Sequence, residues 1–208
     1  MVLGQACYTL LIILLLLAGC RTLELQPQQK INISIYYESL CPDSKLFITQ
    51  YFYPAYEIFS NYLNIRFIPF GKANIREDGS EYTCQHGKEE CVRNIIHGCA
   101  LDMLTSTNQV EFVYCAMIKR TIMGHKECAI QNGLIWEDIQ NCVNGERGLA
   151  LTLLAQYDTR ISTDGPKFVP TIIFNNKFSQ ENQKLTFRDP ISVICKYLAF
   201  HPQCDEPI

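Results

Sequence analysis

Residues 31–46, INISIYYESLCPDSKL, join two patterns of different period. Ile31, Ile33 and Ile35 alternate with Asn32, Ser34 and Tyr36, the period of two expected of a strand. From Pro42 to about Tyr62 the apolar residues Leu46, Phe47, Phe52, Tyr53, Ile58 and Phe59 fall at helical spacings, and Pro54 predicts a kink near Thr49 to Tyr53. Cys41 stands at the junction, followed by Pro42, Asp43 and Ser44. With Pro42 as the first helical residue, Cys41 is the N-cap, and the N–H groups of Asp43 and Ser44 are expected to point back at its sulfur. Such hydrogen bonds and the positive end of the helix dipole favour a thiolate, the nucleophilic form of cysteine, while Asp43 opposes it weakly.

Working outward, residues 64–70 (NIRFIPF) read as a second strand ended by Gly71. Helix-like spacing then covers Glu89 to Leu104, Gln109 to Thr121, Leu134 to Val143 and Arg147 to Thr159, with Gly124, Gly133 and Gly145 as punctuation. Residues 168–174 (FVPTIIF) read as a third strand, Asn175 and Asn176 as a tight turn, and Lys177 onward as a hairpin return. Asp189 and Pro190 open a last helix through Phe200. Pro170 sits in an apolar run where a central strand does not accept proline. It is either an edge-strand proline or a cis proline opposite the reactive sulfur, where a missing N–H lets a substrate chain lie beside the thiol.

About half of the 208 residues are apolar and the formal charge is −3, so the chain can bury a core and suits one domain with an insertion. Acids and bases are interspersed, which argues against nucleic acid or an anionic membrane surface as a partner. Tyr8 to Ala18 form an apolar run followed by small residues and the polar segment Arg21 to Lys30, the layout of a cleaved secretory signal over residues 1–20. The run is too short to span a bilayer comfortably, so no membrane span is expected in the mature chain, residues 21–208. Leu17-Ala18-Gly19-Cys20 also fits a bacterial lipoprotein cleavage box, a less favoured reading. Nine cysteines remain after residue 20, at 41, 84, 91, 99, 115, 128, 142, 195 and 204. In an oxidising compartment eight can pair, in any of 105 ways, and Cys41, alone in the first third of the mature chain, is the natural odd one out. Asn32-Ile33-Ser34 is an acceptor tripeptide for N-glycosylation at Asn32.

Residues 84–99 read CQHGKEECVRNIIHGC. Cys84, His86, Cys91 and Cys99 could be read as a zinc set, but they lack a tight Cys-x-x-Cys pair and secreted cysteines usually pair with one another, so no metal is expected there. Gln85, His86 and Asn94 are expected to bond backbone in a stapled loop. His97, His125 and His201 are expected at the surface or as satisfied core residues. The segment resembles the signature CQHGxxECxxNxxxxC of the gamma-interferon-inducible lysosomal thiol reductase family at Cys84, Gln85, His86, Gly87, Glu90, Cys91, Asn94 and Cys99. The resemblance runs from the first strand through Cys41, past residues 141–145 (NCVNG), to the proline strand.

The resemblance implies an α/β, thioredoxin-like fold with a disulfide-stapled helical insertion over about residues 84–160. It implies a secreted or endolysosomal glycoprotein that reduces disulfides in protein substrates at acidic pH. Cys41 falls on the family's nucleophile and Pro170 on its cis proline, but the second active cysteine falls on Ser44. A second cysteine would attack the mixed disulfide formed at the first and release the substrate; serine cannot. Its hydroxyl at N3 is expected to hydrogen-bond the Cys41 sulfur. The reading is a monothiol reductase or isomerase that needs no cofactor and uses an external small thiol such as cysteine or glutathione. The alternatives are a substrate-binding or holding protein, or full activity with another cysteine, such as Cys84 or Cys204, reaching Cys41.

Overall fold

The computed structural model describes residues 30–119, 121–163, 165–198 and 201–205; the expected signal segment lies outside them. Strand β1 (Ile31–Tyr37) forms where the alternation predicts it and is the middle strand of a three-stranded sheet. It pairs in parallel with β2 (Leu63–Pro69) and antiparallel with β5 (Thr171–Phe174). Between β1 and β2 the chain runs through α1 (Pro42–Leu46), a π-helical segment (Phe47–Phe52) and α2 (Tyr53–Phe59). The π segment lies where the kink is expected: Pro54 has no N–H for the carbonyl one turn back, and the helix widens ahead of it. Parallel pairing of β1 with β2 requires such a helical crossover.

The side chains of β1 are buried on both faces of the sheet. Ile31, Ile33, Ile35 and Tyr37 meet Phe47, Phe52 and Phe59 in one core, while Tyr36 packs with Ile68, Phe70, Ile75 and Ile173 in a second. The insertion supplies the cover in five helices: α3 (Lys88–Met103), α4 (Ser106–Lys119), α5 (Ile122–Gln131), α6 (Trp136–Asn144) and α7 (Glu146–Thr163). Cys99–Cys142 ties α3 to α6 and Cys115–Cys128 ties α4 to α5. Leu149 and Leu153 of α7 close the second core. Gln156 of α7 accepts from the Ile75 N–H and donates to the Ile75 carbonyl, both at 3.0 Å, fixing a small ribbon of β3 (Asn74–Ile75) and β4 (Tyr82–Thr83).

Three elements depart from the sequence reading. Helix α5 is not among those expected, because Gly124 reads as a boundary. In fact Gly124 is its third residue, and its N–H is capped at 2.9 Å by the Thr121 hydroxyl. The return expected from Lys177 is not a strand: Asn175 and Asn176 turn with positive φ, Lys177 makes one bridge to Phe174, and α8 (Gln180–Thr186) begins. Ser179 caps that helix by accepting from the Asn182 N–H, and residues 180–186 (QENQKLT) have no β-type alternation to compete with it. The final helix is shorter than expected, α9 (Pro190–Cys195), and Cys195 bonds Cys204 in α10 (Pro202–Asp205).

His97 and His125 are fully buried with their ring centroids 4.9 Å apart. His97 Nδ1 pairs with the Tyr37 hydroxyl at 2.8 Å, but His97 Nε2 and both nitrogens of His125 have no hydrogen-bond partner among the described residues. These are core histidines, though less satisfied than expected. Burial, with Arg93 nearby, holds His125 down to about 4 and pushes His97 well below its ordinary value of 6.5. Each ring is therefore neutral in the folded protein at a pH where the unfolded chain protonates it. The stability they contribute is complete above about pH 6.5 and is lost as pH falls towards the folded values. For His125 alone the loss at pH 5 comes to about 2 kcal/mol. We expect His125→Leu to show a stability loss between pH 7.5 and 5 smaller than the parent's by about that 2 kcal/mol in urea unfolding. Equal losses would show that His125 is not the titrating group.

Candidate active site

Cys41 caps α1 with φ −60° and ψ 124°, and the Lys45 N–H donates to its carbonyl at 3.0 Å, so the helix starts where Pro42 predicts. The sulfur, however, receives no cap hydrogen bond from the helix. It is 7% exposed and faces across the sheet end, where its S–H donates to the Val169 carbonyl at 3.7 Å. Ser44 also departs from expectation. It is fully buried, and its hydroxyl accepts from the Glu38 N–H at 3.3 Å rather than meeting the Cys41 sulfur. Local geometry explains both: the chain between β1 and α1 turns back on itself, the Cys41 N–H donating to the Glu38 carbonyl at 3.3 Å, so Ser44 lies under the strand end.

The peptide bond between Val169 and Pro170 is cis and immediately precedes β5, beside the sulfur. Two side chains hold this loop. Gln183 of α8 accepts from the Ile172 N–H and donates to the Pro170 carbonyl, each at 2.9 Å, and the Thr171 hydroxyl donates to the Phe168 carbonyl at 2.7 Å. Gln183 is absent from the sequence reading because the segment carrying it is taken there for a strand.

The signature residues converge on the turn that presents Cys41. Asn94 accepts from the Ser39 N–H at 3.0 Å and the Ser39 hydroxyl donates to the Glu90 carbonyl, so α3 grips the chain two residues before the sulfur. Asn94 thus bonds backbone as expected, whereas Gln85 and His86 turn to carboxylates. Gln85 faces the Glu38 carboxylate, and with its amide turned so that the nitrogen points inward it donates to it at 3.3 Å. His86 Nδ1 lies 2.6 Å from Glu90 Oε2 and 3.3 Å from Glu38 Oε2, and both carboxylates are fully buried. Gly87 starts α3 with φ +85°. Cys84–Cys91 closes this loop against the first turn of α3, and Cys99 lies eight residues further along the same helix. The zinc reading of Cys84, His86, Cys91 and Cys99 is thereby overturned, since all three sulfurs are in disulfides.

Glu38 is the central residue that sequence reasoning misses. Its Oε1 accepts from the Lys72 N–H at 2.7 Å, and burial pushes its carboxyl up from the ordinary range, with Glu90 adding to the rise and Lys72 and His86 opposing it. Gly71 is required beside it: at φ +61° a Cβ there would stand 2.4 Å from Glu38 Cγ. The available signal was a charged residue ending an apolar strand three positions before the cysteine. The Glu38, Cys41 and His86 donor atoms all lie within 4.8 Å of one another.

Among the described residues Cys41 is the one free cysteine, and the other eight form Cys84–Cys91, Cys99–Cys142, Cys115–Cys128 and Cys195–Cys204. Cys84 and Cys204, the candidates for an intramolecular partner, are each bonded elsewhere. Asn32 lies in the central strand, half-buried, its side-chain oxygen accepting from Asn64 at 2.7 Å. No helix among the described residues is long and apolar enough to cross a membrane.

The fold matches that of DsbA from Chlamydia trachomatis with a TM-score of 0.58 over 84% of this chain and 90% of that one, at 13% identity. This likeness makes the fold thioredoxin-like with a disulfide-stapled helical insertion. In sequence, the chain is 34% identical to GILT-like protein 1 of Drosophila melanogaster over 203 residues, covering 88% of this chain and 81% of that protein. It is 31% identical to the gamma-interferon-inducible lysosomal thiol reductase-like protein of Anopheles gambiae, covering 90% and 85%. Residues 32–132 match the family described as gamma interferon inducible lysosomal thiol reductase (GILT), and with the thioredoxin-like fold around them they make this chain a member of the GILT thiol reductase family.

Proposed function

We propose that the protein reduces or isomerises disulfides in protein substrates through Cys41 alone, with an external thiol completing the cycle. The observation that carries this reading is the isolation of the Cys41 thiol beside the Pro170 loop, with every other cysteine among the described residues locked in a disulfide. In the first step the Cys41 thiolate bonds one sulfur of a substrate disulfide, and the other sulfur leaves as a thiolate that takes a proton. A small thiol such as cysteine or glutathione then attacks the Cys41 sulfur and releases the substrate thiol. A second small thiol frees Cys41 and departs as the small-molecule disulfide. The net change is one substrate disulfide reduced and two small thiols oxidised.

The Val169 carbonyl and Pro170 have a role in this sequence. While Cys41 is a thiol its proton occupies the carbonyl; once the sulfur is a thiolate or a mixed disulfide, that oxygen is free to accept from a substrate N–H. Pro170 carries no N–H of its own to compete. The outer backbone groups of Pro170 and Ile172 are taken by Gln183, so the place for a substrate chain is the Val169 backbone just before the cis proline, with its disulfide against Cys41. Four disulfides suit an oxidising lumen, and with the expected signal segment over residues 1–20 they favour the secretory pathway, ending in the extracellular space or the endolysosomal lumen.

Covalent capture tests the reading. We expect incubation of the reduced Cys41 protein, its four disulfides intact, with a disulfide-containing unfolded protein to give an adduct on a non-reducing gel. The adduct should be absent from Cys41→Ser and cleared by added cysteine or glutathione. Absence of an adduct from the parent protein would leave the substrate-holding alternative, which the low exposure of Cys41 favours. Replacing Ser44 by Cys should raise multiple-turnover reduction severalfold at low external thiol, because release becomes intramolecular. An unchanged rate would show that release is not the step that serine limits.

A further inference from the structure

The groups around the sulfur form a ligand set that disulfide exchange does not require. The Cys41 sulfur, a Glu38 carboxylate oxygen and a His86 ring nitrogen lie within 4.8 Å of one another, yet come from the end of β1, the cap of α1 and the signature loop. A mixed set of sulfur, nitrogen and oxygen suits a borderline divalent ion such as Zn2+ and not Mg2+ or Ca2+, which take oxygen ligands. Bonds of about 2.0–2.3 Å place the ligand atoms of a tetrahedral site roughly 3.3–3.8 Å apart, so closing this set takes a movement of about 1 Å. His86 can make that movement: its side chain is 34% exposed, and the following Gly87 has φ +85° with nothing within 4 Å of a Cβ position.

The outer shell of such a site is already built. His86 Nδ1 lies 2.6 Å from the Glu90 carboxylate, the carboxylate–histidine pairing that orients a metal-binding imidazole. Glu38 Oε1 is held by the Lys72 N–H at 2.7 Å, which fixes the carboxylate while Oε2 faces His86. Two buried carboxylates thus share one imidazole, and a divalent cation would neutralise the surplus negative charge. Ser44 matters too. A second cysteine could draw Cys41 into a disulfide and remove the metal ligand, whereas with serine the sulfur remains a thiol.

We propose that Glu38, Cys41 and His86 bind one divalent cation of the Zn2+ class, with a fourth position open, and that the bound ion masks Cys41 from disulfide substrates. Binding replaces the S–H proton, which goes to solvent, by a sulfur–metal bond; no electrons move. The masking, though not the site itself, rests on the reading of Cys41 as the nucleophile.

Zinc chloride titrated against a chromophoric chelator into the mature protein, Cys41 reduced and the four disulfides intact, should reveal one ion per chain. Co2+ in its place should give a thiolate-to-metal charge-transfer band in the near ultraviolet that Cys41→Ser lacks. Saturating Zn2+, but not Ca2+, should slow alkylation of Cys41 by iodoacetamide about tenfold or more, because a coordinated sulfur is a poor nucleophile. His86→Ala, on a half-exposed loop, should lose that protection while Cys41 still alkylates without metal; Glu38→Gln should do the same if it folds. Absence of stoichiometric binding, a charge-transfer band that survives in Cys41→Ser, or full protection in His86→Ala would each overturn the site. Substrate capture by the metal-free protein is scored separately. Its failure beside intact zinc protection would sink the mixed-disulfide reading and leave the metal site standing.

Discussion

The site depends on one buried carboxylate. Glu38 directly follows β1 with no exposure to solvent, and an ionisable group so placed needs polar partners on every side. Those partners come from far along the chain: the Lys72 N–H after β2, and Gln85 and His86 from the loop before α3. Each draws its own segment against the strand end. Gly71 is the residue that lets the β2 exit pass close enough, and Cys84–Cys91 pins the signature loop in reach. The turn carrying Cys41 is therefore set by a polar cluster rather than by apolar packing, and the second buried carboxylate, Glu90, completes it through the same imidazole.

This arrangement gives the signature a physical content. Cys84 and Cys91 close the loop, Gln85 and His86 reach Glu38, Gly87 opens α3, Glu90 holds His86, and Asn94 holds the Ser39 backbone. Cys99 anchors the other end of α3 to α6. In the chain-entropy view, a bridge closing that 43-residue separation is worth about 4 kcal/mol, which helps hold the insertion's helices together against the sheet.

Much of this was legible in the sequence where a single local rule decides the outcome. Period-two alternation placed β1, Pro42 placed the start of α1, Pro54 placed the widened turn, and an odd count of cysteines singled out Cys41. What was not legible came from contacts between distant segments. Nothing near Ser44 in sequence indicates that its hydroxyl will accept from the Glu38 N–H, and no periodicity marks Gln183 as the clamp of the Pro170 loop. Glu38 itself looked like an ordinary strand terminus, because its partners lie 34 to 48 residues away. Helix α5 was lost for a different reason: glycine was weighed by its average preference, while the Thr121 cap that offsets it is visible only once the turn is formed.

On the proposed cycle, in which outside thiols complete the work of Cys41, the protein's own disulfides must stay out of the exchange. Attack requires access to a sulfur, and three of the four bridges have at least one buried cysteine: Cys91, Cys99 with Cys142, and Cys128. Cys195–Cys204 is the exception, with both residues half-buried near the end of the chain and a sequence separation of only nine. Its reduction would free α10 but would leave the turn at Cys41, the signature loop and the Gln183 clamp with their contacts intact. Cys99–Cys142, with both cysteines buried, is thus the bridge best shielded from the reductant; Cys84–Cys91 and Cys115–Cys128 each keep one half-buried sulfur, and the Cys41 sulfur is itself only 7% exposed beside the cis proline.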